Sequence, residues 1–230
     1  MQPRIIFFDM GQTVVTGTAR SARRLMASRL DLSEKETRKV GRLIMTHLSL
    51  EPSSLVEALK EILVDREQNQ LQTAVEEVWR EQRRGVKEVD GATSVLRMLK
   101  AGGFKLGFLS NTWHPFYSGV CECCPELTEL VDHHVLSYRL GFKKPSPDFF
   151  RHALEQVGAA AERCWMVGDS YELDIEPALA VGMHAVWVLH GPEREKTLLA
   201  QVLRGEKPRP DWSVAHLGEI LEYFSRKGSL

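Results

Sequence analysis

Four short polar stretches interrupt a pattern of apolar runs, and each carries a side chain suited to phosphate or to a hard cation. They are Asp9 in FFDMGQT, Ser110 in LSNT, Lys144 in GFKKPSP and Asp169 in GDSYELD, which also holds Asp174. Two carboxylates facing one pocket repel each other unless a cation lies between them. Carboxylates with open coordination positions suit Mg²⁺, which keeps waters and takes phosphate oxygens as further ligands. A serine hydroxyl offers a hydrogen-bond donor and a lysine a compact positive charge, both suited to a phosphoryl group. Together the set describes phosphoryl transfer with a carboxylate nucleophile and a divalent cation. Each residue alone has a plainer reading, and Asp9 by itself could equally be a turn or helix-capping acid.

Bringing these side chains together requires a sheet. Ile5, Ile6, Phe7 and Phe8 are consecutive large apolar residues. The run is too short for a helix and lacks the alternation of a half-exposed strand, which predicts a strand buried on both faces. Asp9 follows it directly. A second such strand, Lys105 to Leu109, ends in Ser110, Asn111 and Thr112. Another, Cys164 to Val167, ends in Gly168-Asp169-Ser170, with Asp174 on the helix that follows. Further strands read near His134 to Ser137, His184 to Val188 and Trp212 to Val214, and a last helix near Leu217 to Phe224. In open parallel sheets ligands bind beyond the carboxyl ends of the strands, so these polar ends predict one site on one sheet edge. Lys144 lies in a loop before a helix with Ser146 as N-cap and Pro147 as first residue. Strands alternating with helices predict an α/β fold with a doubly wound parallel sheet.

The stretch between the first strand and the rest of the sheet is different. Val14 to Ala19 reads as an exit loop, and from Arg20 to Arg84 every pattern is helical. Leu55, Leu59, Ile62 and Leu63 form one stripe and Leu71, Val75, Val78 and Trp79 another. Ser33 with Glu36 and Ser54 with Glu57 have capping-box spacing. Asp90 is expected to cap a helix that Gly102 and Gly103 stop. The organisation expected is therefore an α/β core, residues 1–16 and 88–230, with an all-helical insertion at 17–87.

Composition narrows the function. The 230 residues carry 30 Lys and Arg against 31 Asp and Glu, a net charge of -1, which argues against nucleic acid as partner. There is no apolar run of about 18 residues to span a membrane and no apolar leader. A cytoplasmic protein with reduced cysteines is the expectation. Cys121, Cys123 and Cys124 lie near His133 and His134, but their spacing departs from the usual zinc pattern. Neighbouring residues on a helix also face different directions, so ordinary thiols are the reading preferred. Arg20, Arg23 and Arg24 read as a solvated helix face, with contact to an anionic substrate tail as the alternative.

In order and spacing these motifs resemble the haloacid dehalogenase superfamily with a helical cap, over essentially the whole chain. The family's first motif, acid-x-acid-x-Thr, falls on Asp9 to Thr13. The second falls on Ser110, the third on Lys144 before Pro145, and the fourth on Gly168, Asp169 and Asp174. The resemblance implies that Asp9 attacks phosphorus and becomes an aspartyl phosphate. It implies Mg²⁺ held by Asp9, the carbonyl of Gly11 and Asp169, with Asp174 in the same metal motif. Ser110 and Lys144 would hold the phosphoryl group, with Thr13 and Asn111 beside them in the substrate set. The implied partner is a small phosphorylated metabolite, selected by the cap.

One position departs from the pattern. Gly11 stands where family phosphatases have the acid that protonates the leaving group and then activates water. Such catalysis is worth about 10²- to 10⁴-fold, so slow turnover of ordinary monoesters is expected. Gln12 replaces a usual glycine, either orienting a water or bracing the loop, and His114 is another possible proton carrier or a surface histidine at a helix start. The dehalogenase branch also lacks the second acid and works without metal, but it replaces the acid matched here by Asp169. A non-catalytic binding protein is favoured by Gly11 and disfavoured by retention of Asp9, Lys144 and Asp169.

Overall fold

The structure, a computed structural model, describes residues 3–191 and 193–226. It begins with β1 (Ile5–Phe8) and β2 (Val15–Thr16), then four helices, α1 (Ala22–Leu30), α2 (Glu34–Thr46), α3 (Pro52–Lys60) and α4 (Gln68–Arg84). β3 (Lys87–Glu88) returns the chain to a second unit. There α5 (Ala92–Ala101), β4 (Lys105–Ser110), α6 (His114–Cys123), α7 (Pro125–Glu129), β5 (His133–Leu136), α8 (Ser137–Leu140) and α9 (Pro147–Val157) follow in turn. β6 (Cys164–Gly168), α10 (Glu176–Ala180), β7 (His184–Val188), α11 (Lys196–Leu203), β8 (Trp212–Val214) and α12 (Ile220–Arg226) complete it.

Six strands form one parallel sheet in the order β5-β4-β1-β6-β7-β8. β1 is central because all four of its side chains are fully buried. Alternate residues point to opposite faces of a strand: Ile6 and Phe8 enter one apolar layer, Ile5 and Phe7 the other. Gly107 on β4 makes this packing possible, since a Cβ there would lie 2.5 Å from the Phe7 ring.

Within the exit loop expected over Val14 to Ala19, Val15–Thr16 forms a strand. β2 pairs antiparallel with β3, forming a two-stranded ribbon at the root of the helical unit, where the division drawn at 16/17 and 87/88 falls. Pairing between segments so far apart in sequence leaves no local signal. α1 to α4 enclose their own apolar cluster around Leu55, Val75 and Val78, which Trp113 of the sheet-bearing unit joins. α4 sits close on α6 because Gly119 has no side chain; a Cβ there would collide with the Arg83 carbonyl.

Two capping expectations are corrected. The Ser33–Glu36 box forms, but α3 starts at Pro52 with Glu51 as N-cap, leaving Ser54 inside the helix. Proline suits a first helical position, and it begins the helix before Ser54. The N-cap of α5 is Gly91, at φ 73°, rather than Asp90; the Glu88 carboxylate accepts the Thr93 N–H at 2.7 Å instead. Ser146 stands at the N-cap of α9 but makes no side-chain capping bond. No helix among the described residues is long and apolar enough to cross a membrane.

Candidate active site

Three strand ends converge. β1 delivers Asp9, whose backbone N–H donates to the Val167 carbonyl of β6 at 2.9 Å and fixes the acid between the two strands. β4 ends in Ser110, 2 % exposed. β6 ends in Gly168, and Asp169 follows. Beyond it the chain makes a π-helical turn, Tyr171–Ile175, that carries Asp174; such turns concentrate at functional sites.

Lys144 joins these ends. It is 1 % exposed, and its Nζ donates to Asp9 Oδ1 at 2.7 Å and to Asp174 Oδ1 at 2.5 Å. The second Asp174 oxygen accepts the Ser170 N–H at 3.1 Å. Gly168 is required here, because a Cβ would collide with the Asp174 carboxyl. The Lys144 backbone is clamped by Asn111: the Lys144 N–H donates to Asn111 Oδ1 at 2.8 Å, and Asn111 Nδ2 donates to the Lys144 carbonyl at 3.0 Å. Both ends of the Asn111 amide are thus engaged by the lysine peptide, although the residue also lines the cavity.

The charges do not balance. Burial opposes the Lys144 charge, but the carboxylates of Asp174 and Asp9 outweigh it and raise its pKa. Asp174 is pushed up to about 6 by burial, against the pull of Lys144. Asp169 is pushed up to about 7, by burial first and then by the carboxylates of Asp9 and Asp174. Its own carboxyl has no hydrogen-bond or ion-pair partner among the described residues. Carboxylate oxygens of Asp9, Asp169 and Asp174 all lie within 4.8 Å of one another. One lysine among three acids leaves room for a hard cation.

These residues floor a cavity of about 230 Å³, smaller than the roughly 300–1,000 Å³ of drug-sized sites. Trp113, Phe116 and Leu173 make apolar walls, and Ala22, Met45 and Gln82 of the helical unit close the other side. These walls leave no local signal, because packing between segments distant in sequence places them. Gly11 also borders the cavity, and a Cβ there would have no atom within 4 Å.

Other sequence candidates sit elsewhere. Thr13, expected in the substrate set, is fully buried, does not line the cavity, and has a hydroxyl without a partner among the described residues. The tight turn from Met10 to Val15, with Gln12 at φ 63°, rolls it inward. That left-handed conformation favours glycine. Gln12 is exposed and borders an adjoining cavity on the far side of Asp169, with His190 and Arg194. His114 is not on the active-site cavity; its Nε2 meets the Ser118 hydroxyl at 3.2 Å. Arg20, Arg23 and Arg24 are exposed. Cys123 is exposed and Cys124 buried, His134 is bonded to the Tyr117 hydroxyl at 3.0 Å, and these residues do not gather at a metal-sized point, unlike the three acids.

Comparison with known proteins fits this arrangement. Residues 3–182 match the family model of the haloacid dehalogenase-like hydrolases. The chain is 31 % identical over 142 residues to a glyceraldehyde 3-phosphate phosphatase of Pyrococcus furiosus, covering 62 % of this chain and 56 % of that protein. It is 32 % identical over 134 residues to the pyrimidine 5'-nucleotidase YjjG of Escherichia coli, covering 56 % and 53 %. The chain thus spans about half the length of these curated relatives. Among solved structures, a HAD phosphatase from Thermococcus onnurineus matches with a TM-score of 0.58 at 20 % identity, covering 100 % of this chain and 99 % of that one. A 2-haloacid dehalogenase from Pseudomonas syringae matches with a TM-score of 0.64 at 18 % identity, covering 98 % and 100 %. Likeness at such identity speaks for the fold and leaves the chemistry to the site. With its motifs on adjoining strand ends and the family model matched over most of its length, the chain belongs to the haloacid dehalogenase-like hydrolases.

Proposed function

We propose that this protein is a Mg²⁺-dependent phosphohydrolase acting on a small phosphorylated metabolite through Asp9, with helices 17–87 as its cap. The observation that carries the reading is the unpartnered carboxyl of Asp169 beside Asp9 and Asp174. Asp9, Asp169 and the Gly11 carbonyl are the groups that would hold the cation. Asp174 has both oxygens engaged, by Lys144 and the Ser170 N–H, and serves to position the lysine. Bound there, the cation neutralises charge on the transferring phosphoryl group. Lys144 and Ser110 hold that group, and Asp9, with its Oδ1 fixed by Lys144, presents a carboxylate oxygen to phosphorus. The phosphatase names among the relatives support the same substrate class.

Gly11 supports a second reading, a binding protein that keeps the fold and loses turnover. Metal binding and hydrolysis separate the two. An aryl phosphate, whose leaving group needs no proton, is expected to be hydrolysed with Mg²⁺, and not after chelation or in Asp9→Asn. Mg²⁺ is also expected to raise the melting temperature more at about pH 8 than at about pH 5.5. The sign follows from Asp169, whose folded pKa lies near 7 against an ordinary 3.8. The folded state therefore holds the proton more tightly, and stability is lost as pH rises between those values. Above the folded value the cation relieves the repulsion between ionised carboxylates; below it the cation competes with a proton. An equal shift at both pH values, or none, contradicts the metal site.

A further inference from the structure

Above its floor the active-site cavity is apolar and uncharged. The charged side chains that border it, Asp9, Lys144, Asp169 and Asp174, all belong to the floor, and among the described residues no other charged side chain lines it. Folding leaves three large apolar side chains on the walls incompletely covered. Phe116 and Met45 are half-buried, and Leu173, 37 % exposed, lies in the π-helical turn one residue before Asp174. The Phe116 ring packs over Gly17, where a Cβ would lie 2.7 Å from its Cε2.

One polar group on the wall is unsatisfied. Gln82 is 6 % exposed. Its Nε2 donates to the Thr18 hydroxyl and to the Arg20 carbonyl, the latter at 3.3 Å. That carbonyl only accepts, and the Thr18 hydroxyl already donates to it at 2.7 Å. Both partners therefore require the amide nitrogen on their side. The other end of the amide, Oε1, has no partner among the described residues, in a side chain that borders the cavity.

Size and chemistry narrow what can fit. A dry cavity of about 150 Å³ holds benzene, so about 230 Å³ takes one ring beside a phosphoryl group and little more. A carboxylate placed on these walls would lose its hydration without gaining a partner. At the reacting end Gly11 supplies no proton to the leaving oxygen. A phenol ionises near pH 10, as tyrosine does, and departs without one.

We propose that the substrate is a phosphate ester of a small, uncharged phenol, whose ring packs on Phe116, Met45 and Leu173 and whose hydrogen-bond donor meets Gln82 Oε1. This rests on the phosphohydrolase reading of the cavity floor and names the other half of the ester. In the transfer an Asp9 oxygen forms the new bond to phosphorus and the bond from phosphorus to the phenolic oxygen breaks. The electron pair leaves on that oxygen, which takes its proton afterwards from water.

The test measures affinities of the full chain in Mg²⁺, by calorimetry, for phosphonates that cannot be hydrolysed. Methylphosphonate has no tail, benzylphosphonate adds a ring, 4-carboxybenzylphosphonate adds a charge, and 3- and 4-hydroxybenzylphosphonate add a donor. Benzylphosphonate is expected to bind about tenfold or more tighter than methylphosphonate, and tighter than the carboxylate. At least one hydroxybenzyl probe is expected to gain about threefold or more over benzyl. Leu173→Ala, at a partly exposed position, is expected to lower the ratio of benzyl to methyl. Gln82→Met also loses the bonds to Thr18 and Arg20, so its readout is the ratio of hydroxybenzyl to benzyl, expected to fall to one. A ring that adds nothing, a ring gain untouched by Leu173→Ala, a carboxylate that binds best, or a hydroxyl gain that is absent or survives Gln82→Met overturns the proposal. Mg²⁺-dependent binding of methylphosphonate reports on the phosphate site alone. Its absence fails both readings, whereas its presence with no gain from the ring fails only this one.

Discussion

Gly11→Asp is expected to raise turnover of an alkyl phosphate by about 10²-fold or more. The parent has Asp9, Lys144 and Ser110 at the cavity floor, but Gly11 offers no side chain to protonate an alkoxide leaving group or to activate water. Gln12, the next residue, is exposed and borders the adjoining cavity. His114 does not line the active-site cavity. Position 11 does line it, has no atom within 4 Å of a built Cβ and does not require a glycine backbone conformation. An aspartate therefore enters without displacing a neighbour. A factor of 10² corresponds to about 3 kcal/mol of barrier. The gain is expected to be larger for an alkyl phosphate than for an aryl phosphate, whose leaving group departs without a proton. A folded Gly11→Asp protein with unchanged turnover on both would show that more than the proton carrier is missing.

Lys144→Met is expected to cost about 3–5 kcal/mol of stability near pH 8, measured by urea denaturation, and to abolish hydrolysis. Lys144 is the cation that Asp9 and Asp174 both bond. Asp174 is itself only 1 % exposed. Removing the lysine leaves a buried carboxylate facing two others, and the loss exceeds that of an exposed pair, about 0–1 kcal/mol. The pH dependence fixes the cause. Asp174 and Asp169 already titrate in the folded state near 6 and 7, above their ordinary 3.8. Acids raised in this way favour the folded state at low pH and lose that contribution as pH rises through the folded values. Without Lys144 they rise further, so the variant's deficit is expected to shrink toward pH 5. A deficit independent of pH would trace the loss to packing instead.

What could be read beforehand follows from how local each signal is. β1, β4, β6 and β7 are short apolar runs buried on both faces, and such runs are visible in sequence. The placement of Asp9, Ser110 and Asp169 on one sheet edge was legible because each stands at the end of one of these runs or just after it. The β2–β3 ribbon was not, since Val15 finds Glu88 only in the folded chain. The burial of Thr13 was not legible, because motif position does not reveal which way a tight turn rolls a side chain. Asn111 stands beside the site, but its bonds to the Lys144 peptide depend on a loop remote in sequence. The apolar walls arise where the helical unit packs over the sheet. Gly11 was legible as a missing acid; the open space around it was not.

In the proposed reaction Asp9 takes the phosphoryl group. With no base at position 11 to hydrolyse it, the phosphorylated enzyme should accumulate when an aryl phosphate and Mg²⁺ are supplied. Intact mass spectrometry after rapid quenching reads this directly. One added phosphoryl group is expected on the parent protein, mapped to Asp9 and absent from Asp9→Asn. A label that persists in Asp9→Asn, or hydrolysis by the parent that never passes through a labelled protein, would contradict it.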